Sequence, residues 1–209
     1  MTLPQSALDA LWDFDDPCAS EGRFARAAAA ASGAERAELE TQRARALGLQ
    51  ERYDEADAVL DAITDDAPVV RVRVELERGR VRNSSGDPDA AARLFRAAAE
   101  AAAAAGLTFL RIDALHMLAI ADPAQADAWT AQALSELENV DDPRTLRWRV
   151  SLHSNAGWAR FDAGRLAEAL AAFEEARRAA ERWGTPQQVR WADEALAECR
   201  AAIGAAPGR

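Results

Sequence analysis

The sequence contains no lysine; all 25 of its basic residues are arginine. That absence removes the amine on which both P-loop phosphate binding and Schiff-base catalysis depend. Cysteine is nearly absent too. Cys18 and Cys199 lie near opposite ends of the chain and neither has a CxxC partner, so nothing supports a disulfide framework or a zinc knuckle. The two histidines, His116 in "ALHMLAI" and His153 in "SLHSN", lack HExxH spacing and a nearby cysteine, so each is expected to be a core or interface residue satisfied by a hydrogen bond. No GxSxG occurs, and "DAITDDAP" (Asp61, Asp65, Asp66) lacks the glycine and terminal glutamate of a calcium loop, so it reads as a solvated helix end. Catalytic residues, metal ligands and cofactors are therefore expected to be none, and the chain is not expected to be an enzyme. No stretch approaches the roughly 20 apolar residues of a membrane span. The opening "MTLPQSALDALWDFDD" lacks the basic and apolar regions of a signal peptide. The expectation is a soluble cytoplasmic protein with no membrane partner.

Alanine, leucine, glutamate and arginine, all strong helix formers, dominate what is there. Hydrophobic residues make up 49%, but much of that is alanine, with one Tyr and six Phe. Such a core suits helices packed closely through small side chains, and long β-branched alternating runs are absent. The predicted class is all-α. A formal charge of −10 disfavours nucleic acid as a partner, because phosphate affinity needs concentrated positive charge.

A period runs through the chain. In "SNAGWARFDAGRLAEALAAFEEA", Gly157, Gly164, Ala169, Phe173 and Ala176 place small, small, small, large and small residues at fixed offsets. Gly79, Gly86, Ala91, Phe95 and Ala98 repeat them. Ala44, Ala56, Leu60 and Ile63 form another set, with Glu51 where the second glycine would sit. Ala114, Ala121, Ala126, Thr130 and Ala133 follow, and Leu8, Ser20, Phe24 and Ala27 complete the series. The pivots Ser20, Ala56, Ala91, Ala126 and Ala169 are spaced by 36, 35, 35 and 43 residues, the longer step falling around the turn-rich "ENVDDPRT". Asp16-Pro17, Asp87-Pro88 and Asp122-Pro123 stand four and three residues before their pivots. Asp accepts the free N–H groups of a first turn and Pro is tolerated at the first helical position, so each pair is expected to open a second helix. After the last unit, Thr185 and Gln188 form a capping-box pattern around Pro186, and Val189, Ala192, Leu196, Cys199 and Ile203 make one apolar stripe. That is the pattern of a terminal capping helix.

The repeated pattern resembles the tetratricopeptide repeat (TPR), a helix-turn-helix unit of about 34 residues. Gly157, Ala169, Phe173, Ala176 and Asn155 fall on characteristic family positions. The resemblance covers residues 1 to about 180. It implies a right-handed all-α solenoid of about five TPR-like units, near 1–36, 37–71, 72–106, 107–149 and 150–184. A capping helix at 186–203 completes a single domain, 1–204, and 205–209 is expected to be a disordered tail. The third unit departs from the family: Glu75, Arg78 and Arg82 stand where bulky apolar residues are usual, with Val74, Leu76 and Val81 beside them. Either this helix is rotated or it holds a polar network between repeats. Arg78 and Asp113 occupy equivalent positions on neighbouring first helices and are predicted to pair.

In the family, first helices line a concave face that holds peptides or helices. The inward positions carry over to Thr41, Arg45, Arg73, Glu77, Arg80, Asn83 and Arg111, then Ser154, Asn155, Trp158 and Phe161. An Arg-rich groove beside aromatic surface implies a protein or peptide partner that is acidic or carboxylate-bearing, with an apolar anchor. The chaperone-binding subtype's Lys/Asn clamp is missing, since Leu76 occupies one of its positions and there is no Lys. The expected function is a non-catalytic adaptor or scaffold. The alternatives are a self-associating (homo-oligomeric) structural protein, and a ligand-sensing regulatory domain that acts through a partner chain.

Overall fold

A computed structural model describes residues 3–205, which are helical apart from turns and short connections. The helices are α1 (Gln5–Asp9), α2 (Pro17–Ala30), α3 (Gly33–Gly48), α4 (Tyr53–Asp61), α5 (Pro68–Ser84), α6 (Pro88–Ala104) and α7 (Thr108–Ala121). They continue with α8 (Ala126–Glu136), α9 (Pro143–Leu146), α10 (Trp148–Asp162), α11 (Leu166–Trp183) and α12 (Pro186–Ala205). The chain divides into two compact units, Met1–Asp122 and Pro123–Arg209, where the repeat register alone predicts one continuous domain. The division falls within the expected fourth unit (107–149), where the helix that follows it, α8, has 11 residues, against 17 in α6 and 18 in α11. In unit 1 consecutive helices pack in pairs: α2 on α3, α3 on α4 and on α5, α5 on α6, and α6 on α7. In unit 2, α10 packs on α11 and α11 on α12. The architecture is an all-α, repeat-like one.

The recurring small and large residues are its packing joints. Phe95 and Phe173 are fully buried, and each lies against the glycine sixteen positions earlier. A Cβ added at Gly79 would stand 2.4 Å from the Phe95 ring, and one at Gly157 would stand 2.4 Å from Phe173. The same offset joins Leu8 to Phe24 and Ala44 to Leu60, all buried. Glycine here is the hole that admits a ring, which brings two helix backbones close together. Gly79→Ala is therefore expected to destabilise the chain by about 2 kcal/mol. A collision with a ring that cannot move costs up to about 3 kcal/mol, and the better helix propensity of alanine returns up to about 1. Urea unfolding midpoints check this. Adding Phe95→Leu should restore part of the loss, and Gly48→Ala, whose Cβ meets only Val81 at 3.8 Å, should cost nothing.

The predicted caps form at two of three places. Asp16 accepts from the Ala19 N–H and Asp87 from the Ala90 N–H, each at 2.9 Å, with proline next in the chain. Asp122 departs. It ends α7, its N–H donating to Leu118 O, and its carboxylate lies 4.0 Å from Arg96 Nη2. Pro123–Gln125 then make one 3₁₀ turn before α8 begins. Asp142, within the turn-rich stretch, caps α9 by accepting from the Arg144 and Thr145 N–H groups. Gly86 and Gly164 adopt left-handed backbone after α5 and α10. Glu51 takes the same conformation after α3 with φ 60°, although its side chain disfavours it.

The capping box around Pro186 forms: the Thr185 N–H donates to Gln188 Oε1 at 3.0 Å and the Gln188 N–H to Thr185 Oγ1 at 3.2 Å. Along α12, Ala192, Leu196 and Cys199 are buried and Val189 is half-buried, whereas Ile203 is exposed because the helix outruns the surface it covers. The Cys199 thiol donates to Leu166 O at 3.5 Å. Ala205, the first residue of the expected tail, ends α12, and the rest of that tail lies outside the described residues.

Candidate functional site

Unit 1 carries a polar stripe on its first helices. On α3, Glu38, Thr41, Gln42 and Arg45 recur at i, i+3, i+4 and i+7, which is one helix face. On α5, Arg73, Glu77 and Arg80 do the same, and α7 contributes Asp113 and His116. Because α3, α5 and α7 pack in succession, the stripes meet.

Three ion pairs result, built on two arginines. Arg73 Nε donates to Glu38 Oε2 at 3.1 Å, and Arg73 Nη2 to Gln5 Oε1 at 2.9 Å. Arg80 bridges Glu77 at 2.6 Å and Asp113 at 2.5 Å. The predicted Arg78–Asp113 pair does not form. Arg78 turns the other way and meets Asp61 of α4 at 2.6 Å, as Arg82 meets Asp57 at 2.8 Å. The polar network between neighbouring first helices exists, but Arg80 supplies its cation. Positions 78 and 80 differ by about 200° around a helix, so only one can face α7.

The N-terminal segment covers this face. The Leu3 N–H donates to Glu38 Oε1 at 3.1 Å and Trp12 Nε1 to Gln42 Oε1 at 3.1 Å. Trp12 and Phe14 stack at 4.6 Å, and the Arg45 guanidinium lies 5.5 Å from each ring centroid. Arg73, read from the sequence as partner-facing, is instead buried in these contacts, and Glu77, read the same way, is buried against Arg80. Arg111 Nη1 donates to Ala99 O at 2.9 Å, which ties α7 to α6. Asn83 is half-buried on the last turn of α5.

In unit 2 the structure places Ser154, Asn155, Trp158 and Phe161 on α10, all half-buried. Trp158 packs edge-on against Phe173 at 5.0 Å and Phe161 at 5.5 Å, beside the core of Ala169, Leu196 and Cys199. Its indole face is largely spent on the α10–α11 joint.

Two groups in unit 1 stand out electrostatically. Among the described residues Arg45 has ring contacts but no carboxylate. Burial, then repulsion from Arg80, holds it below its ordinary pKa, against the pull of Glu77 and Asp113. Glu77, 2% exposed, bonds Arg80 through one oxygen, while its Oε2 has no hydrogen-bond partner among the described residues. Both residues line a pocket of about 200 Å³ with Arg80, Leu49, Val81 and Met117. Burial opposes charge on Asp113, but Arg80 and Arg45 outweigh it and keep its pKa below the usual value. Burial pushes His116 down to about 4, so it is neutral at pH 7.

The fold has a known counterpart. The crystal structure of BtubC (BKLC) from P. vanneervenii matches with a TM-score of 0.56 at 15% identity, covering 97% of this chain and 94% of that one. At that identity the likeness is one of fold alone. No protein-family model and no curated protein matches the sequence. Among the described residues no cluster of three or more His, Cys, Asp or Glu could hold a metal ion, and no helix is long and apolar enough to cross a membrane.

Sequence reasoning missed Gln5, Trp12, Glu38, Gln42 and Met117. The polar i, i+3, i+4, i+7 run on α3 was a usable signal for Glu38 and Gln42. Nothing local marks Gln5 or Trp12, whose partners lie 68 and 30 residues away.

Proposed function

We propose that the chain is a non-catalytic, tetratricopeptide-like adaptor that holds a carboxylate-bearing protein or peptide segment with an apolar anchor at the end of the first-helix face of unit 1 where Arg45 lies between exposed Phe14 and Leu49. The observation that carries this reading is Arg45. It is a half-buried guanidinium without a carboxylate, flanked by Phe14 at 59% and Leu49 at 51% exposure. An arginine fork pairs bidentately with a carboxylate, and a partly desolvated one does so more strongly than a solvated one. The exposed phenyl and leucyl groups supply apolar surface on either side. The non-catalytic part of the reading rests on the lack of lysine and of nucleophile motifs in the sequence. A reducing, cytoplasmic setting is consistent with two free thiols.

Selection from a random peptide display library tests the adaptor reading. Enriched peptides should carry an acidic residue next to an aliphatic or aromatic one, and Arg45→Gln and Phe14→Ser should each weaken their binding about tenfold or more, about 1.4 kcal/mol. Enrichment without acidic residues, or binding indifferent to Arg45→Gln, rejects it. The ligand-sensing alternative has an observation of its own: the unpartnered Oε2 of Glu77, in a pocket too small for a peptide segment.

A further inference from the structure

The pocket beside Arg45 brings together two unmet demands of opposite kind. Arg45 is a cation with no acid on it, and Glu77 Oε2 is a buried acceptor with no donor on it. A buried acceptor left unsatisfied costs about 1–3 kcal/mol, so a ligand that supplies a donor recovers that loss. The same ligand must bring an acidic group for Arg45.

Charge balance restricts it further. Arg45 and Arg80 face Glu77 and Asp113, two charges of each sign, and His116 beside them is neutral at pH 7. An ordinary anion would leave a net negative charge in a half-enclosed region of a protein that already carries −10, and an ordinary cation would leave a positive one. A zwitterion leaves the balance unchanged. The cavity of about 200 Å³ is smaller than the ~300–1,000 Å³ of drug-sized sites, so the ligand is small. Leu49, Val81 and Met117 make the rest of the wall apolar.

We infer that this pocket binds a free aliphatic α-amino acid. Its carboxylate pairs with Arg45, its ammonium donates to Glu77, whose carboxylate turns Oε2 from its closed position toward the cavity to accept, and its side chain lies against Leu49, Val81 and Met117. This deepens the ligand-sensing reading and does not depend on partner capture at Phe14.

Calorimetric titration of the full chain with L-leucine and L-methionine tests it. Saturable binding with Kd below about 1 mM is expected for at least one of them. L-leucinamide lacks the carboxylate and N-acetyl-L-leucine lacks the ammonium, and each should bind at least about tenfold more weakly. Arg45→Gln should lose binding to the same degree. Gly48→Leu provides a second route that leaves every charge in place. Gly48 lines the pocket with only Val81 near its Cβ position, so a leucine there fills the cavity, and binding should vanish while the unfolding midpoint holds. The proposal fails if no saturable heat appears for either amino acid up to about 10 mM, or if Gly48→Leu binds normally. It also fails if N-acetyl-leucine binds as well as leucine, which would hand the site to an acylated chain end. None of these failures alters what Phe14→Ser does to peptide selection, so the adaptor reading is judged separately.

Discussion

Glu38→Ala is expected to cost about 3–5 kcal/mol, because it strands the Arg73 guanidinium in the interior of unit 1. Glu38 is fully buried and its two oxygens have separate duties: Oε2 accepts from Arg73 Nε, and Oε1 from the Leu3 N–H. Removing the carboxylate thus leaves a buried cation with only the Gln5 carbonyl and an unpaired backbone donor. Arg73→Met should be about as costly, since it strands the Glu38 anion instead. The double substitution Glu38→Met/Arg73→Met should recover most of the loss. Replacing both members of a buried pair with apolar groups of similar size is often near neutral, because desolvating two charges offsets much of what their attraction contributes. A residual deficit should persist, since Gln5 Oε1 and the Leu3 amide still lack partners. Urea unfolding at constant m, followed through 5-fluorotryptophan resonances, makes the measurement. Trp12 is the one tryptophan before Pro123, so its signal reports unit 1. Near-additive losses in the double variant would mean that the pair's charges are effectively solvated.

The contrast between Phe95 and Arg73 shows where the sequence is informative. Glycine and phenylalanine sixteen positions apart meet at the same joint in both units, because each helix pair must bring its backbones together at one place. That requirement is local, and a period exposes it. The charged residues on α5 obey a different constraint. Arg73, Glu77 and Arg80 lie on one face, and Arg73 is a plausible surface residue until Gln5 of the N-terminal segment is known to bond it. The covering contacts span 30 to 68 residues of sequence, from Trp12 to Gln42 and from Gln5 to Arg73, and no local pattern encodes them. The misassigned Arg78 has a related cause. The family frame puts residue 78 on the face toward the neighbouring first helix, whereas α5 buries Val69, Arg73, Leu76 and Glu77, a stripe that continues to Arg80. Arg45 is among the partner-facing residues expected from the sequence. Its distinguishing property, a charge left without a carboxylate, depends on its neighbours and emerges only in three dimensions.

Acidification from pH 6.5 to 4 is expected to remove about 3 kcal/mol of stability from unit 1 through His116 alone. Burial lowers its pKa from 6.5 to about 4, with Arg80 and Arg45 repelling the protonated ring and Asp113 attracting it too weakly to compensate. The unfolded chain therefore takes up a proton near pH 6.5 while the folded chain refuses it until near pH 4. Stability is whole above the upper value, falls by about 1.4 kcal/mol for each pH step between the two, and levels off below the lower one. Asp113 contributes mainly below this window, because the unfolded chain takes up its proton only near the ordinary carboxylate value of 3.8 and Arg80 and Arg45 hold the folded value lower still. His153 in unit 2 is also shifted down by burial, so the two histidines must be separated. Site-resolved NMR does this directly, since the chain has only these two imidazoles. His116→Gln should flatten the pH dependence of the Trp12 unfolding signal between pH 6.5 and 4 and leave the slope at lower pH in place. A His116 resonance that titrates near 6.5 in the folded chain would mean that water reaches the ring, and the slope in this window would then have to come from other groups.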